Sequence, residues 1–298
     1  MQEILRNCKI CPRQCGVNRF EKAGVCGAGA EVLAAKAFLH QWEEPCISGE
    51  KGSGTIFFSG CNMKCVFCQN HEISQEHYGK EISIERLTEI MLELQQQGAV
   101  NINFITPTPY ALHIIKAVSI ARQNGLVLPI VYNTNGYESI ETIEMLKGTV
   151  DIYLPDIKYC SDSYAIKYSN AKDYFSHATK AVLAMFEQVG YPVFKNDGIM
   201  QKGVLIRHLI LPELLDDSKR ILRWIKDNLG EHAYVSLMCQ YTPMFSASKY
   251  DEINRKLDEW EYDLVIDCFF EIGLENGFVQ EHSSATSDYI PDFDLTGI

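Results

Sequence analysis

Cys61, Cys65 and Cys68 stand within eight residues in the run SGCNMKCVFCQN. Three thiolates so close in the chain can wrap one face of an iron–sulfur cube and leave its fourth iron without a protein ligand. An open coordination position makes a metal centre reactive, the same logic that separates catalytic from structural zinc. A three-cysteine zinc site and chance clustering are the other readings of this spacing. The chain has eleven cysteines and eight of them precede residue 70, a distribution that points to metal or redox chemistry. The opening MQEILRNCKI lacks the apolar core of a signal peptide, and no run of about 18 apolar residues occurs. A cytoplasmic protein without a disulfide framework and without a membrane partner is therefore expected.

A second group, Cys8, Cys11, Cys15 and Cys26, follows CxxCxxxC with a fourth cysteine after ten residues, in CKICPRQCGVNR and GVCGAG. Four thiolates with the turn-forming Gly16, Gly24 and Gly27 suffice for a structural zinc or an auxiliary cluster, the alternative being reduced cysteines with no metal. Cys160, Cys239 and Cys268 stand singly and read as small buried hydrophobes. His113 and His208 lie in apolar surroundings and read as satisfied core residues. With 27 Lys and Arg against 39 Asp and Glu, the net charge of −12 makes nucleic acid an unlikely partner. At 46% hydrophobic residues the composition excludes gross disorder.

From residue 54 onward short apolar runs alternate with longer amphipathic stretches, the pattern of repeated βα units around a parallel sheet. Strands are predicted at 55–59, 101–106, 128–133, 150–155, 204–211 and 234–238, with a short final strand at 267–271. Helical spacing appears in Ile84, Leu87, Met91 and Leu94 after a Ser83 N-cap, and from Ala171 to Val189 before Gly190. Residues 216–228 and 249–262 read as two further helices. Six units fall short of the eight of a closed barrel, so the fold class is α/β, an open partial (β/α)6 TIM-like barrel with a Cys-rich N-terminal segment. The divisions are 1–53 for that metal-binding segment, 54–275 for the barrel and 276–298 for a polar C-terminal tail. The cysteine triplet then falls in the first βα loop, at the mouth where parallel α/β folds place their active sites.

The triplet, with Phe67 just before its third cysteine, resembles the cluster motif of the radical SAM superfamily. The resemblance implies a [4Fe-4S] cluster on Cys61, Cys65 and Cys68, with Phe67 packing near the adenine of S-adenosylmethionine. The strand ends NTNGYE and PDIKY are similar to the TNG and DxK elements of activases for glycyl radical enzymes. They assign Asn133, Asn135, Asp156 and Lys158 to the cosubstrate. Asp156 beside Lys158 would otherwise be costly to bury. By the same likeness Arg207 reaches the cosubstrate's carboxylate or ribose, and Gln240 lies at its adenine end. Where the family carries GGE this chain has FITPTPY, so Thr106 and Thr108 stand as hydroxyl acceptors for the methionyl ammonium. Activases often carry Asp where Asn133 stands. From CKICPRQCGVNR through EEPCISGEKGSGTIFFSGCNMKC to NGFVQ and IPDFD, the chain most resembles the branch that is pyruvate formate-lyase activating enzyme-like.

Such a protein would reductively cleave S-adenosylmethionine to methionine and a 5′-deoxyadenosyl radical, which abstracts hydrogen from a substrate at the barrel mouth. The implied partners are a protein or peptide, with a glycyl radical enzyme foremost, and an electron donor such as a flavodoxin or ferredoxin. A small-molecule substrate and a non-catalytic iron–sulfur electron-transfer module are the competing readings. The polar residues at the strand ends speak against the latter.

Overall fold

The apolar and β-branched runs become strands because each pleated residue packs against neighbours on both sheet faces. In chain order these are β1 (Val32–His40), β2 (Ser53–Phe58), β3 (Lys80–Ile82), β4 (Ile102–Ile105), β5 (Ile130–Thr134), β6 (Ile152–Pro155), β7 (Val193–Phe194), β8 (Met200–Leu209), β9 (Tyr234–Met238) and β10 (Gly277–Val279). The computed structural model describes residues 1–280 and 290–298. One sheet runs β10-β9-β8-β6-β5-β4-β2-β1-β3, and β7 pairs with β8. From β2 to β10 every neighbouring pair on that path is parallel. Helical crossovers join them, so the chain has the predicted six βα units. Among the described residues β10 does not pair with β1 or β3, and the barrel stays partial.

Each crossover helix is held by one apolar face. Ser83 Oγ accepts from Arg86 N at 3.1 Å to start the helix Ile84–Gln96, which buries Leu87, Ile90, Met91 and Leu94. Side chains of this size stabilise by roughly 1.5–3 kcal/mol each when fully buried, which outweighs the weak intrinsic preference of an isolated helix. No described helix is long and apolar enough to cross a membrane.

Several expectations are corrected. The strand predicted at 267–271 lies inside the helix Glu259–Glu271, whose Tyr262, Val265, Cys268 and Phe269 recur at helical spacing behind an Asp258–Glu261 capping box. The helix predicted over 249–262 is replaced by two 3-10 turns before that later start. The helix predicted from Ala171 begins at Tyr174, because Asp173 takes a left-handed conformation at its N-cap. At the fifth predicted strand, pairing extends back to Met200 and ends at Leu209.

Residues 1–53 share the sheet: β1 pairs antiparallel with β2 from Ala34–Phe58 to His40–Ser53. In the tail, β10 pairs with β9, while Leu295 N donates to Ala35 O at 3.1 Å and Ala37 N to Thr296 O at 2.9 Å. The tail therefore touches both ends of the sheet. Residues 281–289 of the predicted tail lie outside the described residues. His113 and His208 are buried, with ring nitrogens 2.8 Å from Ala30 O and 2.6 Å from Ile157 O. Both are core residues as expected, but each is satisfied at one ring nitrogen only, since His113 Nδ1 and His208 Nε2 are buried without a partner.

Candidate active site

The loop after β2 is shaped by close backbone packing. Gly60 takes φ +87°, and a Cβ there would lie 2.6 Å from Cys26 O, so a side chain meets both strain and a clash. The next residue, Cys61, donates its N–H to Cys26 O at 3.0 Å. Further along, Lys64 N and Val66 N donate to Ser169 O and Tyr168 O, at 3.0 and 2.8 Å. Gln75 Nε2 donates to Cys65 O at 2.9 Å. These bonds tie the loop to the helix Asp162–Ser169 and to its own return, so the three thiols are presented by a fixed backbone.

All three thiols line a cavity of about 270 Å³ at the C-terminal ends of the parallel strands. Each sulfur meets a polar neighbour. Cys61 Sγ accepts from Asn135 Nδ2 at 3.3 Å and from Met63 N at 3.4 Å. Cys65 Sγ accepts from Ser169 Oγ at 3.0 Å, and Cys68 Sγ lies 3.2 Å from Ser74 Oγ. Burial, reinforced by the neighbouring thiols, pushes Cys61 up to about 12 and Cys65 up to about 11. A cation beside them would favour their thiolate forms. Among the described residues no three His, Cys, Asp or Glu stand close enough to hold a single metal ion. Three half-buried, hydrogen-bonded thiols around a cavity of this size fit a four-iron cluster.

The same cavity holds a chain of ion pairs beside the thiols. Lys158 Nζ contacts Asp156 Oδ2 at 2.5 Å, and Arg207 Nε donates to Asp156 Oδ1 at 2.9 Å. Burial pushes the Asp156 carboxyl up, but Lys158 and Arg207 outweigh it and hold it below the usual range. Burial likewise pushes Lys158 down, and Asp156 with the Cys65 thiol reverses this. Arg207 also donates to Asn133 Oδ1 at 2.5 Å and pairs with Glu43 Oε2 at 3.2 Å. Glu43 in turn accepts from Asn103 Nδ2 at 3.1 Å and Asn133 Nδ2 at 3.2 Å. Burial raises the Glu43 carboxyl even with Arg207 beside it. Sequence reasoning missed Glu43. Its one signal is a pair of acidic residues, Glu43 and Glu44, between an apolar strand and Pro45.

Asn133, Asn135, Asp156, Lys158 and Arg207 all line the cavity. Phe67, which meets Tyr241 edge-on at 5.6 Å, and Gln240, which accepts from Gln280 Nε2 at 3.1 Å, line it as well. Thr106 lines it too, at φ +59°, a conformation rare for a β-branched residue and typical of a site under constraint. Thr108 does not. Flanked by Pro107 and Pro109, it turns inward on a 3-10 turn and donates to Glu138 Oε1 at 2.6 Å, so it is no acceptor for an ammonium in this cavity. Burial pushes Glu138 up to about 7, although Thr108 and Thr134 both donate to it. Cys8, Cys11, Cys15 and Cys26 line a separate small cavity behind the triplet loop.

A partial α/β barrel that presents three thiols and a ring of polar groups at its mouth defines a radical SAM protein, and residues 55–225 match the model of the Radical SAM superfamily. The chain belongs to that family. Membership implies a [4Fe-4S] cluster and S-adenosylmethionine as cofactors. Among relatives, "Uncharacterized protein MJ0674" of Methanocaldococcus jannaschii is 34% identical over 286 residues, 92% of this chain and 77% of that one. The pyruvate formate-lyase-activating enzyme of Clostridium pasteurianum is 28% identical over 207 residues, 67% of this chain and 79% of that one. The fold is similar to that of Streptococcus suis SuiB, solved with its precursor peptide SuiA, at TM-score 0.50 and 13% identity over 74% of this chain. The present chain spans about half of SuiB, 46% of its length.

Proposed function

We propose that this chain is a cytoplasmic enzyme that cleaves S-adenosylmethionine and abstracts a hydrogen atom from a protein or peptide, with a glycyl radical enzyme as the leading partner. The observation that carries the reading is one cavity holding both the three thiols and the Asp156, Lys158 and Arg207 set. When bound, the cluster and cosubstrate supply one-electron cleavage of the sulfonium, the electron coming from a donor such as a flavodoxin or ferredoxin. The chain's own work is placement. Asn135 holds Cys61 Sγ and orients it. Lys158 and Arg207 offer two cations to the methionyl carboxylate, and Asp156 accepts from the ribose or ammonium. Phe67 and Gln240 face the adenine. Thr106 supplies the only hydroxyl of the two predicted ammonium acceptors that reaches the cavity.

The relative named as a pyruvate formate-lyase-activating enzyme supports a macromolecular target. A small-molecule substrate is favoured by a different observation: Ile290 and Pro291 of the tail and Trp42 also line the cavity and narrow its mouth. Reduced, anaerobic enzyme should release 5′-deoxyadenosine, and the partner protein should show a glycyl radical doublet by electron paramagnetic resonance. Deoxyadenosine release stimulated by a metabolite that is itself altered, with no radical on any partner, would establish the small-molecule reading instead.

A further inference from the structure

We infer that Cys8, Cys11, Cys15 and Cys26 hold a second iron–sulfur cluster, coordinatively closed and docked against the loop of the first. The inference shares with the proposed function only its iron–sulfur chemistry. Local turns gather the thiols: Cys8 N donates to Val17 O at 3.0 Å, Gly16 N to Cys8 O at 2.9 Å, and Gly27 N to Gly24 O at 2.9 Å. All four sulfur-bearing residues line one cavity of about 10 Å³. Gly24 leaves room where they meet, since a Cβ there would lie 3.4 Å from Cys26 Sγ and 3.6 Å from Cys15 Sγ. Cys11 and Cys15 are the less buried pair of the four.

Two arginines show that the space is built for an anion. Arg13 and Arg19 line the same cavity, and each leaves a buried Nη2 without a partner. Arg19 is only 2% exposed. Their other nitrogens are engaged, Arg13 Nε with Asn62 O at 2.8 Å, and Arg19 Nε and Nη1 with Gly29 O at 2.7 Å and Pro109 O at 2.6 Å. An unpartnered guanidinium donor is costly to bury, and a thiolate-bound metal centre carries the negative charge that satisfies it.

The spacing selects the class of metal. Zinc draws its sulfurs to about 2.3 Å from one ion. Among the described residues no three of these cysteines are so gathered, and the same holds for the triplet that the family uses for a four-iron cluster. Four thiolates leave no open iron, so this centre does not bind S-adenosylmethionine. It braces the catalytic loop instead, through Cys61 N to Cys26 O and Arg13 to Asn62 O.

The test uses the full chain with Cys61→Ala, Cys65→Ala and Cys68→Ala, reconstituted anaerobically with iron and sulfide. About four irons and four sulfides per chain should remain, with a reduced-state paramagnetic signal that added S-adenosylmethionine leaves unchanged. One equivalent of zinc without iron, or no metal in a chain of native circular dichroism, overturns the inference. Should that variant fail to fold, Cys8→Ser with Cys15→Ser in the otherwise intact chain decides: iron should fall from about eight to about four. Iron unchanged by those two substitutions also overturns it. Failure of the intact chain to cleave S-adenosylmethionine while the triplet variant keeps its cluster would sink the proposed function alone.

Discussion

Asp156→Asn isolates the electrostatics of the cavity. Asp156 sits between Lys158 at 2.5 Å and Arg207 at 2.9 Å, with side-chain exposures of 10% for the carboxylate and 14% and 15% for the two cations. Water therefore screens the pairs little. The amide keeps the shape and removes the charge, which leaves two buried cations, with Glu43 and Glu44 the remaining carboxyls beside Arg207. Breaking a buried ion pair on one side costs about 3–5 kcal/mol, and that is the expected loss in urea unfolding at pH 7 without ligand. The pH dependence checks the cause. Since the folded carboxyl titrates below its unfolded range, its contribution is present above that range and is lost as pH falls through the folded value. The gap between wild type and variant should therefore narrow steadily on acidification below about pH 4. S-adenosylmethionine should bind more weakly by about 1.5–3 kcal/mol. A stability loss under about 1 kcal/mol, a gap independent of pH, or unchanged cosubstrate affinity would refute the reasoning.

Replacing Cys61, Cys65 and Cys68 together with Ala should abolish 5′-deoxyadenosine release, measured by chromatography after reduction. Glu43→Gln removes the charge that steadies Arg207 Nη1, and calorimetry should show S-adenosylmethionine affinity falling roughly tenfold, about 1.4 kcal/mol, with the triplet's iron content unchanged. Glu138→Gln tests the buried carboxyl. Because its folded value is raised to about 7 from 4.5, wild-type stability from this group is full below 4.5 and declines as pH rises to 7. The Gln variant should thus gain on wild type between pH 4.5 and pH 7 in thermal unfolding, and a constant difference would argue against the assignment.

The six βα units were legible because each parallel strand, buried on both faces, reads as a short apolar run, and each helix as a 3.6-residue stripe. Strand ends were legible for the same reason, and with them the placement of Asn133, Asp156 and Arg207. What escaped was decided by distant partners. The run 267–271 is apolar enough for a strand, but the capping box at Asp258 and Glu261 commits it to a helix. Thr108 was assigned to the cavity by its position in a motif, whereas two prolines and the carboxyl of Glu138 turn it inward. Glu43 was invisible because its partners lie 60, 90 and 164 residues away. Nothing local to EEPC announces them.

The contact between residues 294–296 and β1 imposes an order of assembly. Lys36 Nζ donates to Asp292 O at 2.6 Å across 256 residues of chain. During synthesis β1 and β2 leave the ribosome long before that partner exists, so the β1 edge beyond its pairing with β3 at Val32, Leu33 and Ala34 stays bare meanwhile. Ile290 and Pro291 belong to the same late segment and line the thiol cavity. The thiol cavity therefore gains that part of its wall only once residues 290–298 have been made.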